Sequence, residues 1–404
     1  MSGRPISHNR PVLARWVRLV VAAGLAAALV LTMSPAAEAK SSWKVPANAQ
    51  VTVNGHGYGH GHGMSQYGAE GAARAGLNAR KIVKFYYPGT SWGKAGGKVK
   101  VLISGDTGGD VVVLPRKRLE VRSLGSGKSW TLPTGKAKRW RLTAAGADTA
   151  VSYRHGGWHR WKTVSGEAEF IAAGKPITLV TPSVQARYRG ALRLVGSTSR
   201  STVNVLRLED YLRGVVPMEI PASWSPAAVQ AQAIAARTYA AYERDHPLTS
   251  GYQICDTTSC QVYGGADVEQ PGSNAAIRAT AKRVLTYGGK PAFTQFSASS
   301  GGWTAAGSMP YLRAKKDPYD GWSGNPVHSW SVTLTDRDLE RAYPAVGNLK
   351  RLRVSGRDGH GQWGGRVGRV TLVGSKNTVR VSGDSFRFAL GLRSTWFTFR
   401  VKAR

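Results

Sequence analysis

The stretch from residue 206 to residue 240 constrains this chain more than any other part of its sequence. It reads LRLEDYLRGVVPMEIPASWSPAAVQAQAIAARTYA and places Glu219 among apolar residues. The whole chain has only 23 acidic residues against 56 basic ones, so a carboxyl group in apolar surroundings is unusual here. Burial raises the pKa of a carboxyl group, and a carboxyl that keeps its proton near neutral pH can act as a general acid. The residues alone leave a second interpretation open, in which Glu219 is a charge in an N-terminal helical turn that faces solvent.

A helix is predicted directly after this acid. Ser225 is a suitable N-cap and Pro226 suits the first helical position, so the helix should start there and continue to about Arg244. Its apolar positions fall on one face at helical spacing, with Arg237 beside them. They are Val229, Ala233, Ala236 and Ala240.

The first 39 residues have the pattern of a secretion signal. A start rich in arginine is followed by the apolar stretch 19–33 and by the small-x-small sequence Ala37-Glu38-Ala39. The apolar run is short for a membrane span, so we expect a cleaved signal in place of a membrane anchor. No later run predicts a span, so the remaining chain is expected to be secreted and soluble outside the membrane.

The formal net charge of +33 predicts an anionic partner. A secreted protein rarely meets nucleic acid, so nucleic acid is not expected as the partner. Teichoic acids and other anionic wall polymers fit the predicted compartment. The basic residues are spread along the chain, which leaves open that much of this charge is solvated surface without a specific ligand.

Residues 99–185 are predicted to be rich in β structure. Short apolar runs separated by glycine-rich turns indicate several strands between residues 99 and 180. Four tryptophans recur there beside basic residues, and they are Trp130, Trp140, Trp158 and Trp161. Such aromatics indicate either a sugar-stacking face or ordinary packing between strands, and we favour packing.

The stretch 206–240 resembles the signature of the SpoIID/LytB family of cell-wall proteins. That signature has a YL-GVVP-E start, a P-SW step and an AQA-AARTYA helix. The matching pieces here are Tyr211-Leu212, Gly214 to Pro217, Glu219, Pro221, Ser223-Trp224 and Ala231 to Ala240. The loops at 256–265 and 299–302 resemble the DTT-x-x-QVY-G and SSGG parts of the family. The resemblance implies an α+β fold of mixed sheets and helices around a substrate cleft, here with an additional β-rich region.

A second matching segment lies near the start of the chain. Residues 55–69, GHGYGHGHGMSQYGA, resemble the family's GHG-x-GMSQ-x-GA pattern, and YYPGT follows at 86–90. In the family this segment comes last, after a GLRST-type strand, whereas GLRST lies near the end of this chain at 391–395. The chain therefore resembles a circular permutation of the family. This predicts that a strand at 396–401 lies beside one at 51–53, and that the GHG segment packs against the unit with Glu219.

The predicted organisation has four parts. Residues 1–39 are the signal peptide, 40–98 the GHG/YYPGT segment, 99–185 the β-rich region, and 186–404 the SpoIID/LytB-like core.

The resemblance implies two possible functions. Sporulation members of the family are lytic transglycosylases, and their catalytic acid falls on Glu219. LytB-type members are enhancers of a cell-wall amidase and do not need that acid, so its presence favours the enzyme. The implied partners are peptidoglycan glycan strands, with a cell-wall amidase under the second function.

Several further residues are candidate substrate contacts through the resemblance. They are Arg237, Gln261, Ser299, Ser300, His60 and Gln66. For Arg237 the alternative is a buried guanidinium that bonds backbone carbonyls. For the loops that carry the glutamine and serines, the alternative is a plain hairpin turn. The histidines at 56, 60 and 62 also allow a metal site, which we rank below a role in the cleft.

Cys255 and Cys260 lie in the same loop. An even pair in a secreted protein indicates a disulfide. Some family members bind zinc in this loop with a nearby histidine, and His246 would be the third ligand here. A fourth ligand is not evident, so we favour the disulfide and expect no cofactor.

Overall fold

A computed structural model describes residues 41–182, 184–196 and 200–404 of the chain. The predicted signal peptide, residues 1–39, lies outside the described residues. Within these ranges no helix is both long and apolar enough to cross a membrane. The described chain has helices together with strands in several sheets, which confirms the α+β class.

Seven α-helices are present in the described ranges. They are α1 (Gln66–Arg74), α2 (Ala79–Tyr86), α3 (Leu208–Glu219), α4 (Pro226–Asp245), α5 (Pro271–Ala279), α6 (Asp336–Ala342) and α7 (Gly383–Ala389).

The strands, in chain order, are β1 (Ser42–Lys44), β2 (Ala49–His56), β3 (Met64–Ser65), β4 (Ser91–Lys94), β5 (Lys98–Leu102), β6 (Val111–Val113), β7 (Glu120–Ser123), β8 (Ser129–Thr131), β9 (Arg139–Ala145), β10 (Asp148–His155), β11 (Gly157–Val164), β12 (Ala168–Ile171), β13 (Ile177–Val180), β14 (Gln185–Tyr188), β15 (Ala191–Val195), β16 (Ser201–Arg207), β17 (Ile254–Cys255), β18 (Arg283–Tyr287), β19 (Lys290–Pro291), β20 (Phe296–Ser297), β21 (Trp303–Thr304), β22 (Lys315–Lys316), β23 (Ser329–Thr335), β24 (Leu349–Ser355), β25 (Arg369–Gly374), β26 (Thr378–Ser382) and β27 (Phe397–Ala403).

The β-rich region forms two large sheets. One has the strand order β11-β10-β9-β6-β13-β14, and the other has the order β17-β5-β16-β15-β12-β7-β8. Their inward side chains and those of α3, α4 and α5 form one hydrophobic core. Representative members are Trp140, Phe170, Leu212, Val229 and Ile277. The β-rich region and the helices around Glu219 therefore share a core.

Helix α4 lies between two cores because its side chains are small. Ala233 and Ala236 belong to the core of the large sheets, whereas Ala228, Ala231 and Ala235 pack with α1 and α2 in a second core. Alanine combines high helix propensity with a small side chain, so neighbouring elements can approach such a helix closely on several sides. Helix α4 contacts both α3 and the N-terminal segment (residues 40–98), and so fixes their positions relative to each other.

The N-terminal segment is paired with elements from the other end of the chain. Strand β2 lies between β23 and β27, and Val53 is opposite Phe399 in β27. Strand β3 pairs with β20, and β4 pairs with β18. The predicted adjacency of the strands near 51–53 and 396–401 is confirmed.

Two helices begin at residues whose side chains cap them. Asn78 caps α2 through its side chain, which accepts from the N–H of Lys81, and Thr335 and Asp338 form a capping box at α6. Helix α5 begins at Pro271, a residue that suits the first helical position. Residues 292–295 are irregular and lead into the short strand β20.

Candidate functional site

Glu219 is the last residue of α3, and two elements from elsewhere in the chain contact its carboxyl group. Its Oε1 accepts the backbone N–H of Val262 at 3.0 Å, and its Oε2 accepts Nε2–H of Gln66 at 3.3 Å. Val262 follows the cysteine loop, and Gln66 is the first residue of α1. The end of α3, the cysteine loop and the N-terminal segment therefore converge on one carboxyl group.

This carboxyl group lines a cavity of about 180 Å³. The other lining residues are His60, Tyr239, Thr258, Ser259, Cys260, Val262, Gln295 and Phe296. A larger cavity of about 600 Å³ lies between α2, β4, α4 and α5, and its lining includes Arg80, Lys94 and Arg283 but no carboxylate. Of these two cavities, the one at Glu219 has a carboxyl group in its wall.

Burial raises the pKa of Glu219 above its usual range, while the hydrogen bonds from Val262 and Gln66 partly oppose that rise. Across the described residues no cationic side chain forms an ion pair with this carboxyl group. His60 does not supply a charge either, because burial, with help from neighbouring His62 and Arg366, lowers the pKa of His60 to about 3. The protonated form of Glu219 is therefore favoured by its surroundings.

Alternating glycines bring the GHG segment to this cavity. Gly57, Gly59, Gly61 and Gly63 all have positive φ values, a region that glycine enters without steric cost. At Gly63 a Cβ atom would lie only 2.0 Å from the carbonyl oxygen of Gln295. The segment can thus run tightly along the 295–299 stretch, which places His60 in the cavity wall and Gln66 on the carboxyl of Glu219.

His60 has two backbone partners inside the protein, His62 and Phe296. Its Nδ1 accepts the backbone N–H of His62 at 2.9 Å. In a neutral imidazole one nitrogen accepts and the other carries the hydrogen, so the hydrogen lies on Nε2.

Arg237 is not a substrate contact, contrary to the prediction. Its side chain is fully buried, and Nε and Nη2 donate to the two carboxylate oxygens of Glu209 at 2.8 and 2.9 Å. The remaining donors bond to backbone carbonyls, including those of Ala233 and Ile277. Arg237 therefore joins α4 to the first turn of α3 and to α5.

Gln261 is also structural. Its side chain is fully buried, its Oε1 accepts from the hydroxyl of Tyr211 at 3.1 Å, and its Nε2 donates to the carbonyl of Ala236 at 3.3 Å. With both ends of the amide satisfied inside the core, it has no free group for a substrate. Its effect on the site is indirect, since Val262 follows it in the chain.

Ser299 and Ser300 were also predicted as substrate contacts, but their hydroxyls bond to carboxylates inside the protein. Both are buried, and their hydroxyls donate to Asp320 and Asp317, at 2.8 Å in each case. They belong to a buried polar network that fixes the turn at 299–302.

Several cavity residues were not predicted as site residues from the sequence. Tyr239, Gln295 and Phe296 line the cavity with Glu219. Tyr239 lies in the same AARTYA motif as Arg237, and the helical spacing of α4 could have separated the two: they are two positions apart and so point to different sides of the helix. The other two carry no comparable local signal.

Cys255 and Cys260 form a disulfide in the loop that borders the cavity. The backbone N–H of Cys255 also contacts Sγ of Cys260 at 3.1 Å. His246 is exposed, and its Nδ1 bonds to the carbonyl of Tyr242 at 2.9 Å. Within the described ranges no group of three His, Cys, Asp or Glu side chains is arranged to hold a metal ion.

We expect the double variant Cys255→Ser/Cys260→Ser to lower the free energy of unfolding by about 2 kcal/mol, because the bond closes a short loop and restricts the unfolded chain. Denaturant unfolding of the variant and of the native protein, with and without reductant, measures this. The native protein should also be lighter than its reduced form by the two thiol hydrogens. Stoichiometric zinc in protein purified without added metal would contradict the disulfide.

Known proteins have sequences similar to the part of this chain that contains Glu219. Residues 197–287 match the family model of the SpoIID domain, described as stage II sporulation protein. Over 135 residues the chain is 41% identical to the amidase enhancer of Bacillus subtilis (strain 168), which covers 32% of this chain and 17% of that protein. It is 29% identical over 228 residues to the stage II sporulation protein D of Bacillus amyloliquefaciens, covering 50% of this chain and 63% of that protein.

The corresponding protein of Bacillus subtilis (strain 168) is 27% identical over 231 residues, again with 50% of this chain and 63% of the relative covered. The chain thus spans less than two thirds of the length of each of these relatives. The matched range 197–287 contains α3 with Glu219, the cysteine loop and α4. Over this range the chain is similar to the SpoIID family and to the relatives named above.

Proposed function

We propose that the protein acts at the cell wall as a peptidoglycan lytic transglycosylase, with Glu219 as its acid and base. The observation that carries the proposal is the state of this carboxyl group. It lies in a cavity, burial raises its pKa, and it has no ion-pair partner in the described part of the chain. We further propose that the chain is secreted and that glycan strands and anionic wall polymers are its partners.

The proposed reaction needs one carboxyl group. Protonated Glu219 donates its proton to the glycosidic oxygen, and the bond from that oxygen to C1 of N-acetylmuramic acid breaks. The carboxylate then accepts the proton of the C6 hydroxyl of the same sugar while the C6 oxygen bonds to C1. A 1,6-anhydro end forms, no water is consumed, and Glu219 regains its proton.

The cavity composition supports this route over hydrolysis. Glycoside hydrolases use two carboxyl groups about 5 to 9.5 Å apart, one of which attacks the sugar or activates water. Among the residues that line the cavity, Glu219 is the only carboxylic acid. His60 and Gln295 are polar residues of the cavity wall that can orient the sugar.

Digestion of purified glycan strands tests the proposal. The native protein should release fragments that end in 1,6-anhydro-N-acetylmuramic acid, identified by mass spectrometry. Fragments with reducing ends would indicate hydrolysis, and intact strands would exclude the activity. Strands with and without stem peptides should be compared, since the peptide can block or assist entry to the cavity.

A second candidate is a non-catalytic enhancer of a cell-wall amidase. The 41% identity to the protein named amidase enhancer favours it. Under this function the native protein would raise the rate at which an amidase digests walls, and the Glu219→Gln variant would do so equally well. Under the first function the native protein alone cleaves glycan.

The pH dependence of activity should respond to Gln66. The acid form of Glu219 starts the reaction, so activity should be present below the raised pKa of Glu219 and fall as pH rises through it. The hydrogen bond from Gln66 favours the ionised form and lowers that pKa. The Gln66→Met variant, which keeps the side-chain volume, should therefore shift the alkaline limb of the profile to higher pH.

The measurement is kcat against pH on glycan strands. Gln185→Met, at an exposed position of β14, makes the same chemical change away from the cavity and should leave the profile unmoved. If the profile of the Gln66 variant shifts to lower pH or does not move, then Gln66 does not lower the pKa of Glu219.

A further inference from the structure

Four arginines lie on the outer face of three neighbouring strands. In the antiparallel register, Arg139 of β9 is opposite Arg154 of β10, and Arg154 is opposite Trp158 of β11. In the next row Arg141 is opposite Ser152, and Ser152 is opposite Arg160. Side chains alternate along a strand, so all six residues share one face. The opposite face is apolar and turned to the core, with Trp140, Leu142 and Val151 buried.

Most of the positive charge on this arginine face is unpaired. Arg141 lies 3.8 Å from the carboxylate of Asp110. Arg139, Arg154 and Arg160 have no carboxylate at ion-pair distance in the described ranges, and the last two are exposed. Like charges directly opposite each other destabilise a sheet, and Arg139 and Arg154 form such a pair. An anion bound between Arg139 and Arg154 would offset this repulsion.

Trp158 organises part of the arginine face. The guanidinium of Arg141 lies over the indole ring of Trp158, 4.0 Å from its centre. This cation–π contact restrains a side chain that would otherwise sample many rotamers, and so lowers the entropy cost of binding an anion. It also occupies one side of the indole ring.

The spacing of the arginines favours a ligand with several charges in series. Neighbouring strands are about 4.8 Å apart, and residues i and i+2 of one strand are about 7 Å apart. A chain of phosphodiester groups can contact both rows at once, with bidentate bonds from the guanidinium forks. Nucleic acid fits less well, because single strands are held by open aromatic platforms and the ring of Trp158 is covered on one side.

We propose that this arginine face binds a phosphodiester polymer of the wall, of the poly(glycerol phosphate) teichoic-acid type. The choice of a wall polymer rests on the proposed function, which places the protein at the cell wall. The arginine face lies in the β-rich region, outside the cavity that contains Glu219. The arginine face would bind the protein to the wall while glycan strands are cleaved in the cavity.

Binding of purified poly(glycerol phosphate) teichoic acid tests the proposal. The double variant Arg154→Ala/Arg160→Ala should raise the Kd by about 10- to 100-fold, since each removes a charge-assisted contact. The slope of log K against log salt should also become shallower, because fewer phosphates are neutralised. The matched control is Arg369→Ala/Arg380→Ala, which removes the same charge from exposed positions of β25 and β26. It should change the Kd by no more than about threefold.

Two results would overturn the proposal. One is an equal loss of affinity in both double variants, which would show that only net charge matters. The other is single-stranded DNA of matched charge binding as tightly as the teichoic acid and depending on the same arginines. Glu219→Gln should bind the polymer like the native protein, and cleavage of glycan strands free of teichoic acid is measured separately. Failure of the binding proposal and failure of the proposed catalysis are therefore distinguishable.

Discussion

The Glu219→Gln variant is expected to fold normally and to release anhydromuropeptides at least about 10³-fold more slowly than the native protein. General acid–base catalysis contributes about 10²- to 10⁴-fold, and here one group performs both proton transfers. Glutamine cannot donate a proton as an acid, but its amide oxygen can still accept the backbone N–H of Val262. The fold of the cysteine loop should therefore persist.

The measurement is the rate of anhydro-end formation on purified glycan strands, with thermal unfolding to verify the fold. Glu120→Gln makes the same chemical change in β7 of the seven-stranded sheet, outside the cavity, and should keep native activity. A Glu219→Gln variant that cleaves within a few-fold of the native rate would exclude the mechanism proposed for this carboxyl group.

The sequence marked Glu219 as a carboxyl group in apolar surroundings, and the resemblance to the SpoIID/LytB family then made it the candidate acid. The apolar residues 215–218 precede it in α3, and the helix ends at this position. Its hydrogen-bond partners could not be derived in the same way. Val262 and Gln66 are 43 and 153 residues away along the chain. The position of Gln66 followed only from the resemblance and the permuted order of segments.

The buried polar residues show why a motif does not identify contacts. Arg237 and Tyr239 belong to one motif, yet Arg237 bonds to Glu209 and Tyr239 faces the cavity. Ser299 and Ser300 sit in a glycine-flanked loop, which also suits a ligand site. Their partners, Asp317 and Asp320, are 17 to 21 residues further on, and nothing in the spacing predicts that these carboxylates are buried.

The arginine face could not be predicted from the sequence either. The sequence of β11, GWHRWKTV, mixes basic and aromatic residues without the clear alternation that predicts a strand. A register shift between Val151 and Ser152 changes which residues of β11 oppose β10. Only the observed pairing aligns Arg160 with Ser152 and Trp158 with Arg154.

The largest effect on stability is expected from Asp320→Ala. Asp320 is fully buried, and its carboxylate accepts from Ser65 at 2.6 Å and from Ser299 at 2.8 Å. It also accepts the backbone N–H groups of Ser300 and Gly301, at 2.9 and 3.0 Å. The carboxylate thus links the N-terminal segment to the 299–302 turn.

Alanine at this position would leave these buried donors without an acceptor. Each buried unsatisfied donor costs about 1 to 3 kcal/mol, and breaking a buried charged network costs about 3 to 5 kcal/mol. We expect the free energy of unfolding near pH 7 to fall by about 3 to 5 kcal/mol. Denaturant unfolding of the two proteins measures this difference.

The pH dependence provides a second test of Asp320. Burial alone would raise its pKa, but the hydrogen bonds from His328, Ser65 and Ser299 outweigh burial and hold the pKa below its usual range. A carboxyl with a lowered pKa in the folded state stabilises the protein above its unfolded pKa, and this contribution is lost as pH falls through the folded pKa. The difference in the free energy of unfolding between the native protein and the Asp320→Ala variant should therefore become smaller in acid.

The control is Asp245→Ala, at an exposed position near the end of α4. It should lower the free energy of unfolding by less than about 0.5 kcal/mol. A loss below about 1 kcal/mol for Asp320→Ala, or a gap that widens in acid, would contradict the role of this carboxylate in holding the N-terminal segment to the turn.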